Sequence, residues 1–139
     1  MKSIFKTLFA NERSIELTKD QACVLGAVLN DAHKEMTKVV DEPRVIGSLA
    51  PSTYARILKR MRIAENLLRQ ILCFEGQILI RYKACPELAM ILTLQIDTFD
   101  SLQATQQNDK NRAEIENLKR TLIDVQNKVI KVGNLTPAR

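Results

Sequence analysis

Tryptophan is absent from this 139-residue chain, aromatics make up 4% of it, and it has four glycines, four prolines and one histidine. So few turn formers, with many Leu, Ile, Ala, Gln, Lys and Arg, favour long helices over many short strands. Gly26, Gly47, Gly76 and Gly133 stand alone, so no glycine-rich phosphate-cradling loop is present. The scarcity of aromatics removes the stacking platforms used by single-strand nucleic-acid binders.

The metal and nucleophile chemistries lack their residues as well. His33 is followed by Lys34 and Glu35, without the second histidine four residues on that a metalloprotease helix needs. We expect His33 on an exposed helix surface. Cys23, Cys73 and Cys85 are odd in number, and none forms the short pair typical of structural zinc. Buried, inert thiols in a reducing compartment are the simplest reading. Ten residues separate Cys23 from His33, which is about 280° around a helix, so they do not face each other. No catalytic residue, metal ligand or cofactor is expected.

Long hydrophobic runs are also missing. Residues 22–30 and 88–96 are uncharged and rich in apolar side chains, but they are far below the ~20 residues a membrane span needs. The first ten residues begin like a signal peptide, but Lys6 interrupts the apolar run and no small-residue cleavage site follows. A cytoplasmic location is expected. Ile4, Phe5, Leu8 and Phe9 make residues 1–16 a short amphipathic arm, which docks on the protein's own core or anchors it elsewhere.

What the chain does contain is repeated helical patterning. Thr18-Lys19-Asp20-Gln21 is a capping box, with Leu17 and Ala22 placed as a hydrophobic staple. Ala22, Leu25, Leu29, Ala32, Met36 and Val39 then recur at spacings 3, 4, 3, 4, 3, giving a helix over 18–40 that Pro43 ends. Tyr54, Ile57, Met61, Ala64, Leu68 and Ile71 repeat that spacing over 52–75, widened by Leu58, Leu67 and Leu72. Glu75 and Gly76 mark its end. Ile115, Leu118, Leu122, Val125, Val129 and Val132 form a third such stripe over 110–132, stopped by Gly133 before a tail over 133–139.

Residues 77–99 are ambiguous. Met90, Leu92, Leu94 and Ile96 alternate like a strand, while Leu88, Ile91, Leu92, Ile96, Phe99 and Leu102 fit helical spacing. Pro86 suits a first helical position. The reading favours a buried helix over 86–103, with a β-hairpin over 77–99 as the alternative. Residues 104–112 are polar, either a loop or part of one long exposed helix.

The net charge of +5 is concentrated. Residues 1–50 and 86–139 each hold seven basic and seven acidic side chains. Residues 51–85 hold Arg56, Lys59, Arg60, Arg62, Arg69, Arg81 and Lys83 against Glu65 and Glu75. The second helix is therefore apolar on one side and basic on the rest, a surface that attracts phosphates, acidic protein segments or anionic lipid.

Together these features predict an all-α domain over residues 1–139, a three- to four-helix bundle with heptad-patterned helices. The C-terminal helix could stand away as a coiled coil, released by the polar 104–112 stretch. Each stripe is too short for a stable isolated coiled coil, so each needs apolar cover. The expected function is a non-enzymatic interaction or assembly module that binds itself or another helical protein through Ile115, Leu118, Leu122, Val125, Val129 and Val132. The alternative is a nucleic-acid-binding regulator that sets Arg56, Lys59, Arg60, Arg62 and Arg69 on phosphates.

Overall fold

The computed structural model describes residues 11–42 and 47–136. The expectations about Ile4, Phe5, Leu8 and Phe9, about Pro43 and about the last three residues lie outside this range. The described chain runs β1 (Glu12–Glu16), α1 (Lys19–Asp41), α2 (Pro51–Leu72), β2 (Gln77–Arg81), a single 3-10 turn (Tyr82–Ala84), α3 (Cys85–Thr105) and α4 (Asp109–Val132). Helix dominates, and no described helix is long and apolar enough to cross a membrane.

A two-stranded antiparallel sheet is the departure from an all-α bundle. β1 pairs with β2 in a register that sets Glu12 opposite Arg81, Ser14 opposite Leu79 and Glu16 opposite Gln77. Residues 77–81 are thus a strand, but not one arm of a hairpin over 77–99. Their partner is the 12–16 segment, read from sequence as part of an amphipathic arm. Alternation explains the choice: Ile78 and Ile80 are buried while Gln77, Leu79 and Arg81 face out. Pairing extends past the strands, where Leu17 N donates to Gly76 O (3.0 Å) and Tyr82 N donates to Asn11 O (2.6 Å). Gly76 takes φ +95° to turn the chain into β2, a conformation L side chains rarely adopt.

The outer edge of β2 is closed by a side chain. Gln70 Nε2 donates to Leu79 O at 2.8 Å, and Leu79 N donates to Gln70 Oε1 at 2.7 Å. One carboxamide thus replaces a third strand and ties the end of α2 to the sheet.

Helix boundaries follow local chemistry. Thr18 Oγ1 accepts from Gln21 N at 3.1 Å, and Gln21 Oε1 accepts from Thr18 N at 3.0 Å, completing the capping box. Leu17 and Ala22 are both buried beside it. α2 ends at Leu72, before Glu75, and Leu72 is 85% exposed instead of widening the apolar stripe. α3 begins at Cys85 with Pro86 in its first turn and stops at Thr105. Three residues later Asn108 caps α4, its Oδ1 accepting from the backbone N–H of Lys110 and Asn111.

α4 therefore turns back and does not stand away. Gln126 Nε2 donates to Ala89 O (3.1 Å) and Thr93 Oγ1 (2.6 Å), and Lys119 Nζ lies 2.8 Å from Asp100 Oδ1. These pairs set α3 and α4 antiparallel. α1 and α2 form the other helical hairpin, linked by His33 Nε2 and Glu65 Oε1 at 2.9 Å. The order strand–helix–helix occurs twice, and antiparallel pairing of the two strands places a local dyad at Ser14–Leu79. No residue-level repeat announces this in the sequence. The halves share element order, not side chains.

The core lies where these elements meet the sheet. Ile15, Leu25, Leu29, Leu67, Ile78, Leu88, Leu92, Leu122, Val125 and Val129 are its fully buried large side chains, together with the thiol of Cys85. Cys85 also explains Gly133. Gly133 has φ −88°, and the left-handed residue after the helix is Asn134 at φ +50°. Gly133 is needed for space instead: a Cβ there would sit 2.6 Å from Cys85 Cβ and 3.1 Å from Val129 O. Gly133→Ala should lower stability by about 1–3 kcal/mol through this overpacking. A lower urea midpoint with an unchanged m-value checks it; an unchanged midpoint refutes it.

Candidate binding surfaces

Three regions carry exposed or unpaired chemistry: the outer face of α2, the outer part of the α4 stripe, and the turn end of the α3–α4 hairpin.

On α2, Arg56, Lys59, Arg62 and Arg69 are exposed and share an arc of about 140°. Among the described residues none of them has a carboxylate within ion-pair range. Arg60 differs from its neighbours. Its Nε lies 2.6 Å from Glu87 Oε2, and both side chains are only about one-fifth exposed (19% and 20%). This ion pair clamps α2 to the start of α3. Arg60 is thus a structural residue, set apart from the free basic face with which sequence grouped it. Glu75 is exposed, just past the end of α2 and next to the Gly76 turn.

Beside this face, α2 and β2 enclose an open cleft of about 470 Å³. Leu67 and Ile80 form its buried floor, with Ile63, Ala84 and the half-exposed Leu79 around them. Arg62, Asn66 and Gln70 rim it from α2, and Glu12 and Arg81 rim it from the sheet. Glu12 and Arg81 oppose each other in register without closing to an ion pair. Nothing in the α2 pattern alone signals this cleft, because half of its wall comes from strands that pair over a long separation.

The structure splits the C-terminal stripe. Leu122, Val125 and Val129 are fully buried, and Val132 packs against the core. These residues cover the protein's own interior. Leu118 is 42% exposed and Ile115 is half-buried. Leu118 lies in a second cleft of about 470 Å³ between α1 and α4, lined also by Cys23, Val24, Asn117 and Thr121, with Asp20 and Glu114 on its rim. Met90, Leu94 and Leu102 on α3 are 45%, 53% and 49% exposed.

Near the α3–α4 turn, Glu116 Oε2 accepts from Gln103 Nε2 at 2.6 Å, and Glu116 also pairs with Lys119 and Arg120. The Gln103 hydrogen bond, then that from Lys119, holds the Glu116 carboxyl below its ordinary value. The Asp100 hydrogen bond raises Lys119, against some desolvation. This network reads as a structural latch on the hairpin.

His33 is half-buried and engaged by Glu65, which differs from the free surface histidine expected. Cys23 and Cys73 are exposed, against the expectation of three buried thiols, and only Cys85 is buried. Burial pushes the Cys85 thiol up, partly offset by the Arg13 guanidinium. No cluster of three or more metal-ligating side chains occurs among the described residues. Comparison with protein-family models, curated proteins and solved structures finds no match for this chain.

Two measurements check this picture. In the native state a thiol reagent should label Cys23 and Cys73 quickly and Cys85 only on unfolding; fast labelling of all three would contradict the burial. A carboxyl NMR titration should place Glu116 below the ordinary glutamate range, and Gln103→Ala should move it upward. Because the folded value is depressed, the latch contributes stability above the unfolded value and loses it as pH falls through the folded one. A Glu116 midpoint at the ordinary value would refute the latch.

Proposed function

We propose that the protein is a non-enzymatic interaction and assembly module, a helical scaffold whose work is done by contact surfaces. The observation that carries this reading is the distribution of burial. Every fully buried side chain on the four helices lies in the half nearest the sheet. The far halves keep apolar side chains half-covered or exposed, among them Ile57, Met61, Leu102, Ile115 and Leu118, and Leu94 near the middle of α3 is exposed as well. Short amphipathic helices gain most of their stability from apolar cover, and among the described residues no further segment supplies it, so another chain is a source of that cover. Assembly uses the exposed Leu118 with Ile115 on α4 and, on a separate face, Leu94 on α3, and the partner is a second copy or another helical protein.

A second reading draws on the free cations of α2. Arg56, Lys59, Arg62 and Arg69 lack ion-pair partners among the described residues, which suits phosphates of a nucleic acid. No base-reading element accompanies them, so that binding would be sequence-independent.

Size exclusion with light scattering tests the first reading. The purified chain should elute above monomer mass, and Leu94→Lys with Leu118→Lys should return it to monomer without unfolding it. A monomer at every concentration, unaffected by those substitutions, overturns self-assembly. The same run tests the second reading, since a chain without tryptophan absorbs weakly at 280 nm and bound nucleic acid would dominate the spectrum.

A further inference from the structure

The α2–β2 cleft combines two features that neither reading above uses together. Its floor is the buried Leu67 and Ile80, and Ile63 and the half-exposed Leu79 are the apolar side chains that a ligand can reach. Its α2 rim continues directly into the unpaired cations, since Arg62 both lines the cleft and belongs to the Arg56–Lys59–Arg69 face. From Arg56 to Arg69 this face runs about 20 Å along the helix at 1.5 Å per residue. The cleft volume of about 470 Å³ lies within the range of ligand-binding clefts and is large enough for one or two apolar side chains.

We propose that the α2–β2 cleft and the basic face beside it form one docking surface for an acidic segment of a partner protein, which inserts an apolar side chain against Ile63 and Leu79 and sets flanking carboxylates on Arg62, Lys59 and Arg69. This deepens the interaction-module reading by naming a partner chemistry, and it uses a face separate from Leu94 and Leu118. Loss of self-assembly would leave it standing, and its own failure would leave the assembly faces standing.

Charge and shape choose this occupant. Free guanidinium groups favour carboxylates, with which they form forked hydrogen bonds. The apolar floor offers a nucleic acid nothing, because no aromatic ring lines the cleft to stack a base. The chain's own residues 1–10 carry Lys2 and Lys6, the wrong sign for these arginines. Glu12 on the opposite rim sets a polarity: it repels acid on the sheet side, so the carboxylates of the segment lie toward α2. Gln70 holds both backbone groups of Leu79, so the segment gains no strand pairing there and relies on side chains.

Selection of a random peptide display library on the intact chain tests the proposal. The enriched peptides should share one apolar position flanked by Asp or Glu. A synthetic copy should bind roughly tenfold more weakly to Arg62→Gln with Arg69→Gln, as loss of two exposed ion pairs implies, and weaken as salt rises. Leu79→Ser should weaken it independently, and Glu12→Gln should tighten it. All four positions are exposed, so the variants should fold, and circular dichroism with thermal melting confirms each. Four results would overturn the proposal: no enrichment, a consensus without acidic residues, equal binding to the arginine variants, or a single-stranded oligonucleotide that displaces the peptide and binds more tightly than it does.

Discussion

Five residues of β1 lie antiparallel to five of β2, and this pairing joins segments some 65 positions apart in the chain, Ser14 to Leu79. Closing so long a loop costs about 4 kcal/mol in chain entropy. A two-stranded sheet in water does not offset that alone. Here it is offset by what the strands cover: Ile15, Ile78 and Ile80 are buried, each contributing about 1.5–3 kcal/mol. The helices supply the other side of that interface, with Leu25, Leu67, Leu88 and Val125 converging beneath the strands. Sheet and helices therefore depend on each other. Lys128 reinforces the junction from α4, its Nζ donating to Glu16 O at 2.7 Å and Gln21 Oε1 at 2.9 Å.

From this junction the two hairpins extend with changing chemistry. Close to the sheet they are held by packing, and farther out by polar contacts. Lys119–Asp100, Glu116–Gln103 and His33–Glu65 are the outer ties. Exposed pairs of this kind contribute well under the worth of a buried leucine. Cohesion should fall from the sheet outward, which is the property that leaves the outer apolar side chains available to other chains. Arg60–Glu87 is the exception among the ties, being mostly covered and binding one hairpin to the other. Losing either partner would strand a desolvated charge, at about 1–3 kcal/mol.

Much of the helical layout was legible because it is local. Thr18 and Gln21 announce the start of α1, and the spacing of Leu122, Val125 and Val129 marks the buried face of α4. The strands were hard to read because their information is not local. Ile15 is one apolar residue in the polar stretch 11–16, and only pairing with the distant 77–81 segment makes that stretch a strand. Periodicity also could not say which stretch of a stripe is covered. Leu118 and Leu122 share one stripe, but only Leu122 faces the core. Likewise Arg60 and Arg62 look equivalent in sequence until Glu87, brought in by α3, claims one of them.

Cohesion resides at the sheet end and declines along both hairpins. Residue-resolved hydrogen exchange in the native state tests it directly. Amides of Ile15, Leu25, Leu29, Leu67, Ile78, Leu92 and Val125 should exchange only through global unfolding, while those in 33–41, 51–58, 98–105 and 109–118 should exchange through cheaper local opening. Equal protection along the full length of all four helices would contradict it.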